Sequence, residues 1–550
     1  MPSLNRLAAA LLLSLTASAV LAQHASTQPA AAVIQTAPFN LEADVLRSMH
    51  TFDVPGMAIA IVKDGKVVAA RGFGVRKLGA AAPVDGKTLF EVASNSKAFT
   101  AVALAMLVDE GRLAWDDPVT RHLPDFQMFD GYVTHEMTVR DLLTHRSGLG
   151  LGAGDLLWWP TTTFTSDEII EKLRYIRPAT SFRSSYAYDN LLYIAAGKIV
   201  ASKSGKSWGE TVRERILKPV GMVATTTSLA ENAGVVNQAN AHAKIDDKIT
   251  AVPSMPVPNG AGAVGINTNA EDIARWMMVL LDAGKLPSTS TSTSTSTSTS
   301  GGKDARLFSQ ARSGELWSAQ TPIAINEPKP ALAATRPNFR AYGLGFELKD
   351  YHGMKLATHG GALLGFYSQV TLVPQAKLGI AILTNAESSP AMSALQYRIL
   401  DQYLDIAATD WIGRYADVTR EAHDKELARV KAEAGKRAGA STPSLPLAAY
   451  DGDYADPWYG KVTIKAEGGR HILSFARTPS LSGPLEHFQH DTFIVRWTAR
   501  NLNADAYVTF SLNPDGSIER VKMAPVSTET DFSFDFADLN LVPVNEKKAP

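Results

Sequence analysis

The chain has 550 residues, of which 45% are hydrophobic and 20% charged, with a formal net charge of −1. That length holds more than one domain and a large core, and the balanced charge without a basic run gives no electrostatic footprint for nucleic acid. There is no cysteine, which excludes disulfides, a thiol nucleophile, zinc–thiolate sites and a lipid-modified cysteine anchor.

Met1 to Arg6 forms a short n-region with one arginine, Leu7 to Val20 is apolar, and Val20-Leu-Ala22 fits a small-residue cleavage pattern. This predicts a signal peptide over 1–22, cut after Ala22, and a mature protein exported to the periplasm or beyond. The apolar run is short for a bilayer span, and no later run reads as a transmembrane helix. Residues 23–38, rich in Ala, Gln and Thr, are expected to be loose.

The first folded domain is expected over 39–405. A helix is predicted around Leu41 to His50. Met57-Ala-Ile-Ala-Ile-Val62 and Val67 to Ala70 read as a hairpin, because the Asp64-Gly65 between them is a strong tight-turn signal. Glu91 to Glu110 reads as a strand end turning into a long apolar helix stopped by Gly111. Thr138 to Leu149 suggests a short helix ended by Gly148, and Ser166 a helix cap. Tyr186-Ala-Tyr-Asp-Asn190 precedes an apolar helix to about Ala201. Asn269 to Leu281 is amphipathic, with Ile273, Trp276, Met277, Leu280 and Leu281 on one face. The Ser/Thr alternation and Gly pair over 288–302 cannot pack a core and is expected to be a disordered loop without function. Strands are predicted at Tyr342 to Leu348, Met354 to Thr358, Tyr367 to Val373 and Leu378 to Leu383. An order of strands, helices, strands argues for an α+β domain whose antiparallel sheet joins both ends of the segment.

A charged helix (Trp411 to Arg437) and a linker (Ala438 to Pro446) fill 406–446. Over 447–545 short alternating strands such as Lys461 to Ile464, Ile472 to Phe475, Phe493 to Trp497 and Tyr507 to Phe510 are separated by Gly-rich turns. They predict a small all-β barrel or sandwich, with Tyr450, Tyr454, Trp458, Tyr459 and Trp497 as its core.

The chemistry centres on Ser94. Lys97 follows three residues later on the same helical face, so an amine can stand beside a hydroxyl. The helix N-terminus favours a developing oxyanion, and burial lowers a lysine pKa toward a usable base. The pattern Ser-x-x-Lys is short: Ser300-Gly-Gly-Lys303 also matches it, and a helix cap with a solvated lysine fits it equally well. A second candidate, Gly205-Lys-Ser-Trp-Gly209, matches the nucleophile elbow Gly-x-Ser-x-Gly. That elbow needs a preceding strand, and Leu191 to Ala201 reads as a helix, so Ser207 is read as a helix start.

Two more motifs follow in order: Tyr188-Asp-Asn190 and, at the end of a strand, His359-Gly-Gly361. With Ser94-x-x-Lys97, Thr144-His-Arg-Ser-Gly-Leu149, Ile216 to Met222, Gly262 to Asp272 and Tyr342-Gly-Leu-Gly345, the chain over roughly 40–400 resembles the serine β-lactamase and penicillin-binding-protein-like hydrolases. Class C β-lactamases, family VIII esterases and D-aminopeptidases are the nearest branches. The last domain is similar to a lipocalin-like module appended to such hydrolases. The resemblance implies an antiparallel sheet flanked by helices, an all-helical subdomain, and an acyl-enzyme at Ser94. It makes Lys97 or Tyr188 the base and builds an oxyanion hole from the backbone N–H groups of Ser94 and Ala362. Substrate would lie against Asn190, His359, Gly360 and Gly361, with no metal or other cofactor.

Two departures bear on substrate. His-Gly-Gly stands where lactamases and transpeptidases usually carry Lys-Thr-Gly, so a permanent charge is replaced by a group with a pKa near roughly 6.5. That favours an ester or peptide-like amide over a β-lactam or a peptidoglycan carboxylate. Asp189, between Tyr188 and Asn190, is expected to raise the tyrosine pKa. The expected partner is a small-molecule or short peptide substrate, with the last domain able to restrict the active site. A non-enzyme reading, a penicillin-recognising or ligand-binding protein without turnover, is disfavoured by the intact set of proton-transfer groups.

Overall fold

The computed structural model describes residues 39–287, 305–435 and 441–544. The expected signal peptide, the loose segment 23–38, the loop 288–302 and linker residues 438–440 lie outside these.

Helix α1 (Leu41–Thr51) starts at Asn40, whose side chain accepts from the Ala43 N–H. It leads into the hairpin of β1 (Gly56–Lys63) and β2 (Lys66–Gly74). Asp64 and Gly65 both take positive φ at its turn, which is what an Asp-Gly pair supplies. Helix α2 (Ser96–Asp109) follows, then α3 (Leu191–Ser204) and α4 (Ala270–Leu281). α2 is apolar nearly all round, and only its last turn reaches solvent, as expected of a helix at the centre of a domain.

The chain then returns to the sheet through β3 (Thr321–Pro322), β4 (Arg340–Tyr342), β5 (Glu347–Tyr351), β6 (Met354–Leu363), β7 (Phe366–Val373) and β8 (Leu378–Thr384). Among the described residues these form an eight-stranded antiparallel sheet in the order β2-β1-β8-β7-β6-β5-β4-β3. N-terminal β1 thus pairs with C-terminal β8, Ile59 opposite Ile382, and locks the two ends of the domain together. β1 is buried on both faces. Met57, Ile59 and Ile61 pack toward α1, α5 (Ser389–Tyr403) and the start of α6 (Trp411–Gly435), while Ala58, Ala60 and Val62 face the core holding α2 and α4. The alternation follows from the period of two along a strand.

A second eight-stranded sheet is built from β9 (Gly452–Asp456), β10 (Gly460–Glu467), β11 (Arg470–Phe475), β12 (Ser482–Gln489), β13 (Thr492–Val495), β14 (Ala506–Leu512), β15 (Ile518–Pro525) and β16 (Val542–Pro543). β16 pairs with β9, and Leu541 beside it bridges Val521 of β15, so the sheet is a nearly closed barrel. Tyr450, Tyr454, Trp458, Tyr459 and Trp497 are buried inside it. The barrel is docked on the first domain. Arg477 donates to Glu168 and to the Thr163 carbonyl, and Glu426 of α6 accepts from Ser527 and Thr528.

Several expectations are corrected. The cap of the helix at Ser166–Lys172 is Thr165, which forms a capping box with Glu168, while Ser166 Oγ donates to the Asn259 carbonyl. The run Tyr342 to Leu348 is two strands, because Gly345 at φ +82 turns the chain between β4 and β5. Within Thr138 to Leu149 only Val139–Leu142 is helical. His359 and its glycines lie in the middle of β6, not at a strand end. Ser207 is an exposed cap for the short helix Trp208–Val212, as its sequence context suggests.

Gly361 sits where β6 crosses the turn before α2. A Cβ there would stand 2.1 Å from the Val92 carbonyl oxygen, whereas one on Gly360 would find nothing nearer than 3.4 Å. Gly361→Ala is expected to lose about 1–3 kcal/mol of stability and Gly360→Ala little, which thermal unfolding of the pair measures.

Candidate active site

The backbone carries Ser94 into position by a sharp turn. The short strand Phe90–Glu91 ends, Ala93 takes φ +47, and the 3₁₀ turn Ala93–Asn95 runs into α2. A left-handed alanine costs of order 1 kcal/mol or more and persists where the surroundings fix it. They do so here: Asn95 Nδ2 donates to Ser368 Oγ on β7 at 2.8 Å, and Ser368 Oγ donates to the Val92 carbonyl at 2.9 Å. The turn is pinned to the edge of the cleft from below.

Lys97 is fully buried one turn into α2, with Nζ 2.9 Å from Ser94 Oγ, 2.8 Å from Asn190 Oδ1 and 3.4 Å from the Ala263 carbonyl oxygen. Burial pulls its pKa down to about 7, and Asp155 and Asp189 oppose the fall. Tyr188 lies with its ring centroid 4.9 Å from Nζ. Burial pushes its hydroxyl well above the ordinary phenol range, and a hydrogen bond with Ser94 pulls weakly the other way. The Asp155 carboxylate adds to this rise. Asp189 is fully buried behind the tyrosine, where Oδ1 accepts from the Leu192 N–H at the start of α3. A neutral Tyr188 acts as a proton donor more readily than as a phenolate.

His359 is also held neutral. Burial first, then Lys97 and His145, depress its pKa to about 3, and its ring bridges the Tyr342 hydroxyl at 2.8 Å and the Gly360 carbonyl at 2.6 Å. Nδ1–H donates to that carbonyl, so Nε2 accepts from Tyr342. The motif therefore offers no positive charge to a substrate carboxylate.

A cleft of about 310 Å³ opens over these groups. Ser94, Tyr188, Asn190, His359, Gly360, Gly361 and Ala362 all line it, so the structure brings the expected site residues together around one cavity, with Lys97 in its wall beneath Ser94. Trp158, Trp159 and Tyr186 form an aromatic side. Asp531, Phe532 and Ser533, from the barrel segment between β15 and β16, also line the cleft.

Three features escaped sequence reading. Asp155 is fully buried behind Asn190; its hint was a lone acid in the otherwise apolar, glycine-rich run Gly148 to Trp159. Tyr342 carries His359, although it was noted only as part of a recurrent block. Nothing in the local sequence marked Asp531 to Ser533. Among the described residues no group of three or more His, Asp or Glu side chains is placed to hold a metal ion, and no helix is long and apolar enough to cross a membrane.

Comparison with known proteins agrees with this picture. The family model described as Beta-lactamase matches residues 41–404, and one described as a domain of unknown function, DUF3471, matches residues 436–543. The chain is 29% identical to the "Unguisins hydrolase ungD'" of Aspergillus campestris, over 86% of each chain. It is 28% identical to "Protein flp" of Staphylococcus aureus over 61% of this chain and 60% of that one. The octameric penicillin-binding protein homologue from Pyrococcus abyssi superposes with a TM-score of 0.56 at 22% identity, covering 91% of this chain and 99% of that one. At that identity the likeness speaks for the fold alone.

A lysine amine titrating near 7 is mostly neutral above that pH, whereas an ordinary one is mostly neutral only above about 10.4. The reactivity of Ser94 is therefore expected to fall as pH drops through about 7. The pH profile of kcat/KM checks this, and an acid limb near pH 10 would contradict it.

Proposed function

The chain belongs to the beta-lactamase family, and on that premise we propose that it is an exported serine hydrolase that forms an acyl-enzyme at Ser94 and cleaves an ester or a peptide-like amide. The observation that carries the reading is the buried Lys97 amine, 2.9 Å from Ser94 Oγ and with its pKa lowered to about 7. Export rests on the apolar run Leu7 to Val20 and the Ala22 cleavage pattern.

The reaction follows from the placement of the groups. Neutral Lys97 takes the Ser94 proton as Oγ attacks the substrate carbonyl carbon and the carbonyl π pair moves to oxygen. The backbone N–H groups of Ser94 and Ala362 face that oxygen, each worth on the order of 3 kcal/mol in the transition state. The tetrahedral intermediate collapses, and the leaving oxygen or nitrogen takes a proton from Tyr188, which is reprotonated from Lys97. Water then attacks the acyl carbon with the same groups as base and acid, and releases the acid product. Positioned proton transfer of this kind contributes on the order of 10²–10⁴-fold. Asn190 and the exposed edge of β6 at Gly360 would hold the substrate.

Hydrolase activity in the named Aspergillus relative supports the reaction class. The neutral His359 argues against the second reading, a β-lactamase or DD-carboxypeptidase, since neither a β-lactam carboxylate nor a terminal peptide carboxylate meets a cation there. A ligand-binding protein without turnover would leave Lys97 and Tyr188 without a task. The barrel rim at Phe532 limits the size of the group that can enter.

The test is a parallel assay with a p-nitrophenyl ester, a D-alanyl amide and a penicillin. Ester or amide turnover is expected, abolished in Ser94→Ala and lowered at least 100-fold in Lys97→Met. Turnover that survives Ser94→Ala, or a preference for penicillin, would contradict the reading. Phe532→Ala is expected to lower KM for bulky acyl groups while leaving kcat for an acetyl ester unchanged, as steady-state kinetics on an ester series will show.

A further inference from the structure

A chain of hydrogen bonds runs from the barrel to the catalytic lysine. Ser533 Oγ donates to Asp155 Oδ2 at 2.9 Å. The same oxygen accepts from Asn190 Nδ2 at 2.8 Å, and Asp155 Oδ1 accepts from Trp158 Nε1 at 2.7 Å. On its other side Asn190 Oδ1 faces Lys97 Nζ. Every partner of Asp155 has a proton to give, so its two oxygens accept; burial raises its pKa to about 7 against these donors and Lys97, and above that pH it is a carboxylate.

This arrangement decides which way the Asn190 amide points. An amide has one accepting end and one donating end, and a carboxylate behind it can take only the donating end. The carbonyl oxygen is therefore turned to Lys97. A neutral amine has two hydrogens and one lone pair. Asn190 Oδ1 takes one hydrogen and the Ala263 carbonyl the other, which leaves the lone pair for the Ser94 hydroxyl. With the amide reversed, its NH₂ would donate to the lone pair and compete with Ser94 for it.

We infer that Asp155 is a positioning residue for acylation: held by Trp158 and by Ser533 of the barrel, it fixes the Asn190 amide so that the lone pair of Lys97 is aimed at Ser94. The barrel thereby contributes to the reactivity of the serine as well as to the rim of the cleft. The inference rests on the hydrolase reading for its consequence but not for its geometry.

The charges around the chain set the sign of the test. Asp155 faces Lys97, Tyr188 and Asp535, and Lys97 faces Asp189, His145 and His359 as well. Asp155→Asn removes the negative charge that favours the ammonium form of Lys97, so the acid limb of reactivity moves to lower pH. Ser533→Ala removes a donor that holds the Asp155 pKa down, so Asp155 carries less charge near neutrality and the limb moves, by less, in the same direction. A general loss of packing admits water to Lys97 and moves the limb up instead.

The experiment follows the phosphonylation of Ser94 by an alkyl fluorophosphonate across pH in the full chain, a reaction that needs an activated serine but no particular substrate. Asp155→Asn, which is isosteric, is expected to lower the plateau rate about tenfold to hundredfold and move the limb down. Ser533→Ala is expected to lower it only a few-fold and move the limb down by less. If Asp155→Asn fails to fold, Ser533→Ala decides. Parent-like rates and limbs in either folded variant overturn the inference. A parent whose Ser94 does not react overturns the hydrolase reading instead. In that case a ¹³C NMR titration of the Lys97 Cε resonance, assigned by its loss in Lys97→Met, reads the same downward shifts without any reaction, and unshifted titrations overturn the positioning role.

Discussion

The removal of one lysine amine from water is the constraint on which the site depends. Lys97 lies inside a helix that is apolar on nearly every face, beneath a sheet whose central strands β1 and β8 are buried on both sides. A charged ammonium there costs several kcal/mol, so the amine gives up its proton near neutral pH instead. That is what makes an ordinary serine, next to it on the same helix, a candidate nucleophile. The rest of the site is arranged around the neutral amine: carbonyl oxygens for its hydrogens, a serine for its lone pair, and tyrosine rings against its sides.

The fold supports this by joining distant parts of the chain. β1 and β8 close the sheet, β6 and β7 bring Gly361 and Ser368 against the turn before Ser94, and α3 presents Asn190 from the helical side. Gly361 is required there because the Val92 carbonyl leaves no room for a side chain. The barrel adds a third wall. It is tied to the first domain by Arg477, by Glu426 of α6 and by Asp535, whose Oδ2 accepts from the Gly154 N–H. Ser533 and Asp155 therefore meet at a buried contact.

Much of this was legible in the sequence, for physical reasons. The hairpin at Asp64-Gly65, the apolar run of α2 and the amphipathic α4 are local patterns, and each is an element of the structure. The alternating strands after residue 447 gave a barrel with the expected aromatics inside. Ser94 and Lys97 were legible because helical spacing alone puts them on one face. What failed was set by distant neighbours. Gly345 splits a run that reads as one strand, and β6 runs through His359-Gly-Gly361 because β7 pairs with it to the end. Asp155 and Ser533 lie almost four hundred residues apart, and no local pattern announces their contact.

The central claim is that Ser94 becomes covalently acylated during turnover. The most direct measurement is rapid-quench peptide mapping by mass spectrometry during hydrolysis of a p-nitrophenyl ester. The account predicts an acyl group on the peptide containing Ser94, formed and lost at rates that match turnover and missing in Lys97→Met. Hydrolysis that proceeds at full rate with no acyl group on that peptide, or with one on Ser207 instead, would contradict it.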